Sequence, residues 1–191
     1  NRMNTKLIKA TSLLLFFTFG IVIIGCETQE QREKKREEKR TQKFVLQLNN
    51  RNQDIKTRVN AARALGRINT PTTQKELVSA IPMLIEALDN TDTSTRAFAA
   101  SALGNIGKSA KKAIPNLTNN LRNDRSDLVR GSAAYALGQM KESAQSAIPD
   151  LVKALDDENE LVRQSAAKAL GQINLPQATE ALKRHKSNTP N

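Results

Sequence analysis

Few side chains in this sequence could do chemistry, and their spacing narrows what that chemistry is. There is one cysteine, Cys26, and one histidine, His185. No intramolecular disulfide is possible, and no Cys/His spacing for zinc exists. No Ser/His/Asp grouping, phosphate-binding loop or metal cluster stands out. Acids concentrate in short polar segments between apolar runs and at positions such as Glu86 and Asp150, where they read as solvated charge. His185 lies in a polar C-terminal segment and reads as solvated rather than catalytic. The pattern points away from an enzyme, and toward no metal and no cofactor. What remains is a soft thiol at Cys26, directly after an apolar run, and a set of arginines that recur at a regular interval.

Met3 fits an initiator, and Lys6 and Lys9 precede the apolar run ATSLLLFFTFGIVIIG, from Ala10 to Gly25. A short basic region followed by such a run reads as a secretory signal. As a helix the run rises about 24 Å, short of the roughly 30 Å hydrocarbon core, so a spanning anchor would need help from flanking residues. Ile23-Ile24-Gly25-Cys26 resembles a bacterial lipobox. The resemblance implies a diacylglyceryl thioether on Cys26, cleavage before it, and a domain in the cell envelope facing away from the cytoplasm. Each buried methylene contributes about 0.8 kcal/mol, so two or three acyl chains anchor stably where one does not. The expected organisation is a signal peptide over residues 1–25, then lipidated Cys26 and a tether over 26–43. Residues 27–43 carry seven basic and five acidic side chains and no apolar one, so no core can form there. Pairs such as Glu30/Lys34 could support a solvated helix. A second reading lays its lysines and arginines on anionic headgroups.

Beyond residue 43 the sequence repeats. Arg58-VNAARALGRI, Arg96-AFAASALGNI, Arg130-GSAAYALGQM and Arg163-QSAAKALGQI align without gaps as R-x-x-A-A-x-A-L-G-x-[IM]. The arginines are 38, 34 and 33 residues apart. Ile81-Pro82-x-Leu84, Ile114-Pro115-x-Leu117 and Ile148-Pro149-x-Leu151 precede three of them, each with a further leucine four residues on. Counted from the arginine, apolar residues at +3, +4, +6, +7 and +10 make one helical stripe. Each repeat is therefore two helices, A then B, with Asp and Asn between them as turn and N-cap residues. One pair cannot bury its apolar face alone, so the pairs must stack. Aromatics are 3% of the chain and Trp is absent, so the shared core is aliphatic. Two readings fit Gly66, Gly104, Gly138 and Gly171: close packing of a neighbouring backbone, or the start of a C-terminal cap. The prolines either begin helix A or kink it. The residues near Thr70-Pro71-Thr72-Thr73 read as a longer loop. The first A helix is degenerate, matching only at Phe44, Val45 and Leu48, and a capping helix starts near Leu175. The expected fold is all-α, a right-handed α-solenoid of about four helix pairs over 44–183, with a disordered tail over 184–191.

These units resemble HEAT repeats, most closely the short bacterial class named after phycobilin lyases. The resemblance rests on A-I-P-x-L followed by R-x-x-A-A-x-A-L-G-x-I and covers about 140 residues. It implies a scaffold, or else attachment of bilins to antenna proteins. It also implies an acid in the A–B turn that pairs with a B-helix arginine of a neighbouring unit. Asp54 and Asp92 lie four before Arg58 and Arg96, whereas Asp127 and Glu160 lie three before Arg130 and Arg163.

With the apolar stripe inward, +2, +5 and +9 share the opposite face of each B helix. That face comprises Asn60, Arg63 and Arg67, then Phe98, Ser101 and Asn105, then Ser132, Tyr135 and Gln139, then Ser165, Lys168 and Gln172. It holds three cations, two aromatics and no acid. Phe98 and Tyr135 stand where other repeats are polar, either as partner anchors or as residues folded onto the neighbouring helix. The formal charge is +11, and +8 once Arg2, Lys6 and Lys9 are removed. A basic chain attracts polyanions, yet three cations on the face are few for a phosphate track, so nucleic acid is not expected. The reading adopted is a monomeric, lipid-anchored, non-catalytic scaffold that binds another protein. Its alternative is a phycobilin lyase or lyase accessory subunit.

Overall fold

The computed structural model describes residues 28–68 and 70–188. The expected signal peptide, the expected lipid attachment at Cys26 and residues 189–191 lie outside them. The chain divides into two units, Asn1–Arg40 and Thr41–Asn191. Helix α1 (Gln29–Asn49) crosses that division. It starts at a reciprocal cap: the Gln31 amide donates to Thr28 Oγ1 (3.2 Å), and the Thr28 amide donates to Gln31 Oε1 (3.0 Å). Side chains from Thr28 to Arg40 are all exposed, as their charge requires. The A helix read as beginning at Phe44 is thus the last part of a longer helix. Among the described residues no helix is long and apolar enough to cross a membrane.

In the second unit, four helix pairs stack among the described residues. The A elements are the end of α1, α4 (Ile81–Ala87), α6 (Ile114–Asn123) and α8 (Ile148–Lys153). The B helices are α2 (Ile55–Ile68), α5 (Thr93–Ile106), α7 (Asp127–Gln139) and α9 (Glu160–Ile173). Helix α10 (Pro176–Asn188) follows and packs on α9 and α8. It continues past the Lys183 boundary expected for it, and His185 Nε2 lies 2.9 Å from Asp156 Oδ1.

The stretch read as a loop at Thr70–Thr73 begins a helix, α3 (Pro71–Ser79). The Thr73 amide donates to Thr70 Oγ1 (3.2 Å), the Thr70 amide donates to Thr73 Oγ1 (2.8 Å), and Pro71 occupies the first turn. Two capped amides and a fixed proline φ nucleate a helix where composition alone suggested a turn. Between later repeats the same place holds short 3-10 segments, Gly107–Ala113 and Lys141–Ala147. Pro82, Pro115 and Pro149 all fall in the first turn of their A helices, so they start those helices.

The core is aliphatic. Leu65, Leu84, Leu103, Leu117, Leu137, Leu151 and Leu170 are fully buried, with alanines between them. The +3, +4, +6, +7 and +10 stripe is buried throughout α5 and α7. It is partly open only at Ala64 and Ile68 of α2 and at Ala167 of α9, the two B helices with a B-helix neighbour on one side only.

The B-helix glycines at +8 serve close packing. A Cβ added at Gly66 would sit 2.7 Å from Asn105 Cβ; at Gly104, 2.8 Å from Ala136 Cα; at Gly138, 2.7 Å from Ala169 Cα. Real carbon atoms do not approach so closely, so each glycine lets the next B helix dock. Gly171, on the last B helix, meets nothing within 4 Å. Chain reversal falls three residues later, where Gly107 (φ 68°), Lys141 (φ 53°) and Asn174 (φ 51°) adopt positive φ.

Candidate binding face

Consecutive B helices pack against one another, α2 on α5, α5 on α7 and α7 on α9. This brings the twelve candidate residues onto neighbouring helices. Arg67 and Lys168 are exposed, and the other ten are half-buried. None is buried, as expected for a face opposite the core stripe.

The contacts between these residues run from one repeat to the next. The Arg63 guanidinium of α2 lies over the Phe98 ring of α5, 3.7 Å from its centroid. A cation over an aromatic face is attracted by the ring quadrupole. The Tyr135 hydroxyl of α7 donates to Asn105 Oδ1 of α5 (3.2 Å). Asn105 packs against Gly66, and the Tyr135 ring packs against Gly104. Phe98 and Tyr135 are therefore held by a neighbouring repeat while remaining partly open. Gln172 behaves differently. Its Oε1 is pressed against the backbone at Gly138 and is buried with no hydrogen-bond partner among the described residues. Ser101 Oγ donates to the Ala97 carbonyl of its own helix (3.0 Å).

Charge is segregated. Burial first, then the adjacent Arg67 charge, lower the pKa of Arg63 from its ordinary value, though the group stays cationic. No salt bridge joins Arg63 or Arg67 to a carboxylate among the described residues. The repeat-signature arginines are all engaged elsewhere. Arg96 donates to both oxygens of Asp124 (2.7 and 2.9 Å) and to the Asn90 carbonyl (2.9 Å). Arg130 does the same with Asp157 (2.8 and 2.9 Å) and the Asp124 carbonyl (3.1 Å). Arg163 donates to the Asp157 carbonyl (2.7 Å) and pairs with Glu160. Arg58 donates to the Leu48 carbonyl (3.0 Å).

Pairing of a B-helix arginine with the next unit's turn is present, but the acid differs from the ones expected. It sits six residues before its own arginine, at Asp124 and Asp157, where the first two repeats have Asn52 and Asn90. Asp54 and Asp92 instead cap their helices, accepting from the Thr57 amide (2.9 Å) and the Thr95 amide (3.0 Å). Asp127 accepts from Asn159 Nδ2 (2.5 Å).

Away from the B-helix face, an open depression of about 640 Å³ is lined by Glu142, Ser143, Gln145, Ser146, Ile148, Pro149 and Gln177. It brings together one carboxylate and no nucleophile with a base. Among the described residues no group of three or more His, Cys, Asp or Glu could hold a metal.

Stacked A/B pairs with an aliphatic core, close B–B packing and arginine–turn ion pairs define an α-solenoid. The family model for HEAT repeats matches residues 41–138 and 114–191. The chain belongs to the HEAT-repeat family. Among solved structures it is similar to an engineered protein from the Northeast Structural Genomics Consortium, with 27% identity over 76% of this chain and 68% of that one, at a TM-score of 0.58. It is also similar to computationally designed armadillo repeat proteins for modular peptide recognition, with 23% identity, 83% and 76% coverage and a TM-score of 0.60. A third similarity is to phycocyanin lyase, the complex of CpcE and CpcF from Nostoc sp. PCC7120, with 21% identity, 70% and 91% coverage and a TM-score of 0.54. At that identity it speaks to the fold alone. A search of curated proteins found no match.

Proposed function

We propose that this protein is a lipid-anchored, non-catalytic scaffold of the bacterial cell envelope, and that its B-helix face binds a segment of another protein. The observation that carries the binding reading is the face itself. Twelve residues on four neighbouring helices stay half-buried or exposed, with two aromatics held in place by Arg63 and Asn105 and no carboxylate among them. Aromatic and arginine side chains in partly desolvated settings are the usual anchors of protein interfaces. Half-buried amides and hydroxyls at Asn60, Ser132, Gln139 and Ser165 suit main-chain hydrogen bonding to an extended segment. The designed armadillo repeat proteins similar to this chain in fold are themselves built for peptide recognition. The anchor rests on Ile23-Ile24-Gly25-Cys26 after a basic and then apolar stretch. A charged span over 27–43 supplies the spacing between lipid and repeats. The alternative, a phycobilin lyase or lyase accessory subunit, has a likeness of fold alone behind it.

The test is co-purification of the binding partner with full-length protein from membranes, beside Phe98→Ala/Tyr135→Ala. The double variant should lose the partner while keeping its helical circular dichroism. Undiminished recovery with the folded variant would overturn the binding reading.

A further inference from the structure

We propose that the face recognises an acidic, extended peptide segment, whose carboxylates dock on Arg63 and Arg67 beside the Phe98 ring. This rests on the reading that the B-helix face binds protein, and it specifies the partner's chemistry.

Three observations carry it. First, Arg63 and Arg67 stand four apart on α2, so their side chains are neighbours on one face of the helix. Like charges at that spacing destabilise a helix. Among the described residues no carboxylate offsets this, because neither arginine forms a salt bridge there. An incoming carboxylate would.

Second, Arg63 is held in place before any partner arrives. Its position 3.7 Å from the Phe98 centroid fixes the planar guanidinium against a ring and leaves its edge as the hydrogen-bonding surface. A guanidinium with its rotamer already restricted loses less entropy on binding a carboxylate, and its fork matches that group in two-point fashion. Burial and the Arg67 charge both act against the cationic form of Arg63, so a counter-charge is favoured there.

Third, the acids of the repeats are kept off this face. Asp89, Asp92, Asp124, Asp127, Asp156 and Asp157 all lie in or beside the A–B turns, where Asp92 caps a helix and Asp124 and Asp157 meet signature arginines. The Arg63–Arg67 pair on the first B helix therefore has no competing acid among the twelve face residues. An extended chain lying across the B helices would meet arginines first, then the partly open Phe98 and Tyr135 rings.

The experiment uses full-length protein and a short fluorescein-labelled peptide of alternating aspartate and alanine, with its asparagine counterpart as control. Binding is read by fluorescence anisotropy. Expected is saturable binding of the aspartate peptide, weakened about tenfold or more by Arg63→Gln/Arg67→Gln and by raised salt. Lys108→Gln/Lys111→Gln, which removes the same charge from exposed positions in a 3-10 segment, should leave it unchanged. Circular dichroism melts establish that all variants fold. Equal binding of the two peptides, equal loss in both double variants, or no binding of the aspartate peptide would each overturn the proposal. Tighter binding to phosphatidylglycerol vesicles, lost in the same arginine variant, would also overturn it by assigning the pair to lipid. The protein-binding reading is judged separately, by partner recovery with Phe98→Ala/Tyr135→Ala, so the two can fail independently.

Discussion

Arg130 joins two repeats by donating to both carboxylate oxygens of Asp157, 27 residues away, with its own side chain only 9% exposed. The same guanidinium also donates to the Asp124 carbonyl, so it ties its own A–B turn to the next one. Removing the carboxylate leaves a partly buried cation with only the exposed Glu158 (3.2 Å) as counter-charge, which is more costly than losing an exposed pair. Asp157→Asn should therefore destabilise the stack by about 2 kcal/mol in urea denaturation. A loss below about 0.5 kcal/mol would show that the pair only decorates the turn.

The first repeat lacks this link. Asn90 occupies the position of Asp124 and Asp157, and it makes the same local turn, accepting from the Asp92 amide (2.9 Å) as Asp124 accepts from Ser126 and Asp157 from Asn159. Asn90→Asp should let Arg58 pair as Arg96 and Arg130 do, with a gain of about 0.5–1 kcal/mol. A double-mutant cycle with Arg58→Met checks it. The gain should vanish when Arg58 is absent.

Acid should loosen the stack in a defined window. The bond from Arg130 holds Asp157 below its ordinary pKa, and the bond from Arg122 does the same for Asp150, which is buried in that ion pair rather than solvated as its position in the sequence suggested. Burial pushes Asp124 up, but bonds from Arg96 and the Ser126 amide outweigh it, so it too is lowered. A carboxylate with a depressed folded pKa stabilises the fold fully above its unfolded value of about 3.9. That stability is lost as pH falls through the folded pKa. Unfolding midpoints should hold steady from neutral pH to about 5 and fall below about 4. Asp157→Asn should flatten that fall.

Two glycines with the same place in the repeat should respond oppositely to alanine. At Gly104 the added carbon meets Ala136 Cα at 2.8 Å and Tyr135 Cε1 at 3.3 Å. Overpacking costs about 1–3 kcal/mol and outweighs the helix-propensity gain of about 1 kcal/mol. At Gly171 the space is open, so the propensity gain of about 1 kcal/mol should appear alone. Thermal melts of Gly104→Ala and Gly171→Ala separate the two signs.

Lipid attachment should depend on Cys26 alone, the chain's one thiol. Metabolic labelling with a palmitate analogue should mark wild type in the membrane fraction and leave Cys26→Ser unmarked. Label retained on the serine variant, or none on wild type, would contradict the anchor.

Repeat spacing and the apolar stripe made the helix pairs legible, because burial has the same period in every unit. Contacts across units were less legible. The acid that pairs with Arg96 or Arg130 lies 28 or 27 residues away, and local spacing drew attention to nearer acids, of which Asp54 and Asp92 cap helices and Glu160 pairs with Arg163 inside its own unit. A signal was present in the Asn or Asp six residues before every signature arginine, yet only the stacking shows which neighbour it meets. The double meaning of the +8 glycines had the same source. Gly66, Gly104 and Gly138 differ from Gly171 only in having another B helix beside them. Helix α3 was readable in principle, since Thr70-Pro71-x-Thr73 is a capping pattern, but proline and threonine composition outweighed it. Membership of the candidate face followed from helical period. The Arg63–Phe98 and Tyr135–Asn105 contacts did not, because they depend on how far adjacent B helices are offset.

The account turns on the B-helix face being the one a partner covers. Site-specific photo-crosslinking in cells tests that most directly, with a photoreactive residue at Ser132 on α7 or at exposed Lys153 on α8. A discrete heavier product from Ser132, absent from Lys153 and lost when Phe98→Ala/Tyr135→Ala is added, is the predicted result. A product from Lys153 and none from Ser132 would place the partner on the A-helix side and contradict the account.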